Sequence, residues 1–88
     1  MAVFIIAYDL KKPGKDYTSL IEAIEAAPHC HAQGSVWFVD LSGPATTIRD
    51  TLRAHMDAND ILFVDRVSDQ WAGWAMPVCG RWLNARGC

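Results

Sequence analysis

Eighty-eight residues make one domain and no more, and a chain this short hides only about 60% of the surface that its unfolded form exposes. Half of the residues are hydrophobic (51%) and four are tryptophans, more apolar material than so thin a core readily hides, which implies either a richly packed fold or, the favoured reading, a subunit interface. A formal net charge of −2 argues against tight, nonspecific nucleic-acid binding, which draws on phosphate neutralisation, but leaves room for a local basic patch.

Ala2 to Tyr8 is a nearly continuous apolar run that reads as a central strand, with Asp9 at its C-terminal edge. The run is too short to span a bilayer and has no basic region before it, so the expected compartment is the cytoplasm, with no membrane partner. Lys12-Pro13-Gly14 has turn chemistry, since Pro fixes φ and Gly accepts positive φ. From Asp16, a plausible N-cap, the period changes: Tyr17, Leu20, Ile21, Ile24 and Ala27 form a helical stripe that Pro28 ends. His29 to Gln33 reads as either a short strand or an irregular entry. After a turn at Gly34, Ser35 to Leu41 is rich in branched and aromatic residues, as a strand requires.

Ser42-Gly43-Pro44 is a helix start, with Pro44 suited to the first helical position. Ala45, Ile48, Leu52, His55 and Met56 trace one face of that helix, and Asp57-Ala58-Asn59-Asp60 breaks it. Ile61 to Val67 is a further strand. The order strand, helix, strand, strand, helix, strand predicts an α+β fold of the ferredoxin-like βαββαβ kind. Two helices would cover one face of a four-stranded antiparallel sheet. Residues 71–88 form an apolar tail that either covers the other face or crosses to a second subunit, with Trp71 and Trp74 as candidate dimer-interface residues.

Three cysteines, Cys30, Cys79 and Cys88, are odd in number and widely spaced, which speaks against a disulfide scaffold and against a zinc knuckle. His29-Cys30-His31 is a poor chelator, because in a strand Cys30 faces away from the two histidines.

Asp9 is the sharpest candidate for chemistry, as a carboxylate on a rigid strand end. A single carboxylate holds Mg²⁺ or Mn²⁺ poorly, but a two-fold axis beside the strand would bring two copies together around one cation. The plainer alternative is that Asp9 ends the strand or caps the following turn. Ser35 is a candidate phosphate donor or a hairpin-closing hydroxyl. Tyr8 is a hydroxyl donor or a packing residue. Arg49 and Arg53, one helical turn apart, could track a nucleic-acid backbone with Lys11, Lys12 and Lys15, or form a solvated face with nearby aspartates such as Asp57. The tryptophans could stack on bases, or pack.

Ile5-Ile6-Ala7-Tyr8-Asp9-Leu10, Pro13-Gly14, Asp16-Tyr17, Ser35-Val36-Trp37, Ile48-Arg49-Asp50 and Asp60-x-Leu62-Phe63-Val64 together resemble the Cas2 family of CRISPR-associated proteins. They are similar above all to the small Cas2-like proteins labelled SinR-like, whose pattern also fits Trp71-Ala72-Gly73-Trp74. The resemblance covers roughly residues 1 to 67. It implies a symmetric homodimer joined through its sheets. It also implies a nucleic-acid-associated role, with Asp9 and Ser35 as catalytic residues of a metal-dependent endonuclease and Asp9 as the Mg²⁺ or Mn²⁺ ligand. The same family includes noncatalytic scaffolds, so a protein-interaction module is the alternative. Trp37 replaces the usual Phe, and the chain is more acidic and poorer in lysine than DNA-gripping members.

Overall fold

The structure, a computed structural model, describes residues 2–88. It is a small α+β fold of the element order β1 (Ala2–Asp9), α1 (Thr18–Glu25), β2 (His29–Gln33), β3 (Val36–Leu41), α2 (Ala45–Arg53), β4 (Ile61–Arg66) and α3 (Pro77–Ala85). The strands form one antiparallel sheet in the order β2-β3-β1-β4, broadly ferredoxin-like in topology. The ambiguous segment His29–Gln33 is thus a strand, held at the sheet edge by pairing of Cys30 with Phe38.

The apolar run of β1 is explained by its place between β3 and β4: Ile6 sits opposite Trp37 on one side and Val64 on the other. Alternate residues face opposite ways. Phe4 and Ile6, with Trp37 and Val39, meet Leu20 and Ile24 of α1 and Ile48 and Leu52 of α2 in the larger core cluster. Val3 and Phe38 face the other way, into a second cluster with Cys30, Cys79 and Leu83.

Local chemistry sets the helix boundaries. The Asp16 carboxylate accepts the Thr18 N–H (2.9 Å) and hydroxyl, one residue ahead of the turn that begins α1. These two donors, the hydroxyl first, hold the Asp16 carboxyl below the usual range. Gly14 takes φ +80°, the left-handed value that the Lys12-Pro13-Gly14 turn calls for. Pro44 stands just before α2 rather than inside it, and the helix stops at Arg53, with His55 and Met56 continuing as a turn.

The tail takes one of the two places left open for it, over the other face of the chain's own sheet. The tail is a helix: Pro77, which has no N–H to lose, opens α3, and Cys79 and Leu83, one turn apart, bury against the second face of the chain's own sheet. The apolar surplus assigned to a subunit interface is therefore spent in part within the chain.

The cysteine arithmetic is corrected as well. Cys30 and Cys79 form a disulfide, with Cα atoms 5.8 Å apart across a sequence separation of 49, and Cys88 is free. Spacing in sequence gave no hint of it, because α3 itself brings the two together. The far end of α3 is tied by Arg86, which ion-pairs with Asp40 at 2.5 Å and lies 4.3 Å from the centre of the Trp82 ring.

Candidate functional site

One end of the sheet gathers most of the residues with chemical potential. There β1 ends at Asp9, the β2–β3 turn carries Ser35, and β4 begins after Asp60. The Tyr8 N–H donates to the Ser35 carbonyl (3.1 Å), which fastens the turn to β1. On the helix-covered face the Tyr8 hydroxyl accepts the Trp37 indole N–H (3.1 Å), and the His31 ring stacks on Trp37 at 3.8 Å. Trp37 is almost wholly buried, so it packs rather than offering a stacking platform. His29 also lies against Trp37, its Nδ1 bonded to the Ala27 carbonyl, while Cys30 is in the opposite core cluster.

The organising group is Asp60, which the sequence reading placed in a helix-breaking run and in the Asp60-x-Leu62-Phe63-Val64 pattern but gave no role. Its carboxylate accepts the Lys11 N–H (2.7 Å), the Asp57 N–H (2.8 Å) and the Tyr17 hydroxyl (2.8 and 2.9 Å). It thereby staples the β1–α1 loop and the start of α1 to the α2–β4 loop. Desolvation works against its charge, but the Lys11 and Asp57 N–H donors, the Tyr17 hydroxyl and the Lys15 charge outweigh it, so the Asp60 carboxyl lies below its ordinary range. Desolvation and then the adjoining Asp60 carboxylate push the Tyr17 hydroxyl up. The only sequence signal was an aspartate four residues past the last apolar helical position, indistinguishable from ordinary loop polarity.

Lys11, Lys12, Lys15 and Arg53 lie near this hub, Arg49 stands farther along α2, and each has an internal neighbour. Lys11 pairs with Asp9 at 2.7 Å and Lys12 with Asp57 at 3.6 Å. Lys15 lies 5.4 Å from the centre of the Tyr17 ring. Arg53 donates to the Asp57 carbonyl (3.4 Å), and Arg49 turns aside to Asp50 (2.9 Å). A phosphate backbone would have to compete with these carboxylates for every one of them except Lys15 and Arg53.

Asp9 itself is exposed (side chain 61%) and ion-paired to Lys11. Among the described residues no three His, Cys, Asp or Glu side chains come together as a metal-ligating group. One carboxylate already neutralised by a lysine is an inadequate donor set for Mg²⁺ or Mn²⁺, which require several oxygens around them. The residues of a single chain therefore do not fit that cation, and no chemistry is routed through it.

The opposite face and edge carry the clearest unsatisfied feature. α3 covers the β2–β3 side of the second face. Near the Asp9 end, Ile61 and Phe63 of the edge strand β4 stay 56% and 57% exposed. Trp71 is half-buried in the second core cluster, beside Ile5 and Met76, whereas Trp74 stands out of the following loop at 92% exposure. The two sheet edges differ: β2 carries the polar His29, His31 and Gln33, and its pairing is interrupted between His31 and Gln33, while β4 is regularly paired and apolar from Ile61 to Val64, with Asp65 and Arg66 at its end.

No protein-family model matches the chain, and no solved structure matches it.

Proposed function

We propose that this chain is a noncatalytic protein-interaction module that acts as a homodimer. The observation that carries the reading is the regular, unpaired edge of β4 with Ile61 and Phe63 more than half exposed on it. Proteins commonly blunt a strand edge with charge, proline or a bulge; β4 has charge only at its Asp65-Arg66 end, so its apolar half, Ile61 to Val64, is a ready template for another chain. The electrostatics favour a protein over a nucleic acid, because Lys11, Lys12 and Arg49 each face a carboxylate of their own chain. The ferredoxin-like βαββαβ assignment, the kinship with the noncatalytic members of the Cas2-like group and the cytoplasmic setting belong to the same proposal.

A second reading, a Mg²⁺- or Mn²⁺-dependent endonuclease, draws on one observation: β1 pairing and the Tyr8-to-Ser35 bond bring Asp9 and Ser35 to the same end of the sheet. Cleavage of labelled single-stranded RNA, single-stranded DNA and duplex DNA with Mg²⁺, Mn²⁺ or EDTA separates the two readings. The interaction-module reading expects no metal-dependent difference between the wild type and Asp9→Asn. Cleavage that requires metal and vanishes in a dimeric Asp9→Asn protein would establish the nuclease and name its substrate.

A further inference from the structure

We propose that the dimer forms edge to edge through β4, in the antiparallel register that sets Phe63 opposite Phe63 of the second copy. The proposal rests on the homodimer reading above and moves the interface away from the tryptophan-bearing tail.

The backbone fixes which groups are available. The Val67 N–H donates to the Val3 carbonyl (2.9 Å), so alternate residues of β4 turn their peptide groups toward β1, and Leu62, Val64 and Arg66 turn theirs outward. The Arg66 N–H is met by the Asp65 carboxylate (2.9 Å), which leaves Leu62 and Val64 open to a neighbouring strand. A two-fold axis can pair outward residues only with outward residues, which restricts the registers to a few.

Charge and shape choose among these. With Phe63 on the axis, Leu62 exchanges N–H···O=C bonds with Val64 of the second copy, and the same pair recurs across the axis. Asp60, just ahead of β4 and with its carboxylate still holding the loop hub, then stands opposite the exposed Arg66 of the second copy at both ends, so opposite charges meet twice, Ile61 stands opposite Asp65, and the two Phe63 rings come together on the second face. Sliding the axis to Val64 sets Asp65 against Phe63 and Arg66 against Leu62, so a charge meets an apolar side chain at four positions instead of the two at which Ile61 meets Asp65 in the Phe63 register. Sliding it to Leu62 shortens the overlap and drives Asp60 against Val64. Opposite-charge and aromatic cross-strand pairs are the stabilising ones, and only the Phe63 register supplies both. The other edge offers no such site, since the break after His31 and the polar side chains of β2 spoil a continued ladder.

This geometry bears on Asp9. Strand spacing and rise place the two Asp9 residues roughly 20 Å apart in this dimer, too far to share a cation.

The test combines sedimentation velocity at high micromolar concentration with site-directed cross-linking, both on the full chain. The wild type is expected to be a dimer, and Phe63→Lys, which sets two ammonium groups against each other, a monomer with an unchanged circular dichroism spectrum. In a Cys88→Ser background Phe63→Cys is expected to form a covalent dimer under mild oxidation, and Ile61→Cys, which is set opposite Asp65, is not. If Phe63→Lys does not fold, the pair of cysteine variants decides alone. A monomeric wild type overturns both this inference and the homodimer reading. A wild-type dimer that survives Phe63→Lys but dissociates on Trp74→Ala overturns the β4 register alone and returns the interface to the tail.

Discussion

Removing the Cys30–Cys79 bond by a paired Cys30→Ser, Cys79→Ser substitution is the perturbation with the largest expected effect. The bond closes a loop across a sequence separation of 49. Loop-closure entropy for that length is about 14 cal/mol/K, which corresponds to about 4 kcal/mol at room temperature. A chain of this size is stable by only about 4–13 kcal/mol in total, so the loss is a third or more of what holds it folded. The melting temperature of so small a domain moves about 4–8 °C per kcal/mol, giving an expected drop on the order of 15–30 °C. In the folded chain α3 stays tied by Leu83 and Trp82 in the second core cluster and by Arg86 on Asp40. Thermal melts of oxidised, dithiothreitol-treated and doubly substituted protein measure the drop, and the last two should agree. Thiol titration of the unreduced chain in denaturant should count one thiol, Cys88. Three thiols in the untreated protein, or identical melts with and without reductant, would refute the reasoning.

Leu83 has no exposed surface, so Leu83→Ala should cost about 2–5 kcal/mol in urea unfolding, with the loss read as early exposure of the second sheet face. Arg86→Ala should cost more than the roughly 1 kcal/mol ceiling of exposed ion pairs. It leaves Asp40, whose Oδ1 is already buried without a partner, with neither oxygen matched. Acid titration should show the Asp60 contribution: with its carboxyl lowered in the fold, the stabilisation is complete above its ordinary value of 3.8 and drains away as pH falls through the lower folded value. Asp60→Asn should flatten that part of the stability–pH curve. The raised Tyr17 hydroxyl acts at the other extreme, its share being complete below its ordinary value of 10.0 and lost as pH climbs through the higher folded value, so Tyr17→Phe should flatten the alkaline limb. Thiol trapping in intact cells tests the compartment: the cytoplasmic setting predicts that Cys30 and Cys79 are trapped as thiols and join only on oxidation, and a disulfide trapped in the cell would contradict that setting.

The elements that sequence patterning located best were those whose signal is local. Alternation and branched side chains marked β1, β3 and β4 to within a residue or so, and the Leu20–Ile24 and Ile48–Leu52 spacings marked α1 and α2. β2 stayed ambiguous, because His29, His31 and Gln33 face partly into solvent and only their pairing with β3 makes them a strand. α3 was hidden for the opposite reason: its Gly80 and Pro77 disguise a helix whose stability comes from burial against the sheet and from a covalent bond. Such long-range ties leave no periodic trace. The Asp60 hub is of the same kind, joining residues 43 and 49 positions apart. Of the candidate site, the place of Asp9 at the end of β1 and of Ser35 just after the Gly34 turn was legible from the strand signals, whereas their meeting at one sheet end came from the closed sheet. That Lys11 and Lys12 face Asp9 and Asp57 was not legible either, because ion pairing across loops depends on the closed fold. The exposure of Phe63 was equally unreadable, since an edge strand and a central one share the same alternation.

The most direct measurement of the edge-to-edge homodimer account is amide hydrogen exchange at Leu62 and Val64 over a range of protein concentrations. Their N–H groups point away from β1, so in an isolated chain they exchange at the rate of an open strand edge. Edge-to-edge pairing should protect both amides increasingly as concentration rises, in step with the sedimentation-derived dimer fraction, while the inward Phe63 amide stays protected throughout. Fast exchange at Leu62 and Val64 at every concentration, dimeric or not, would contradict it.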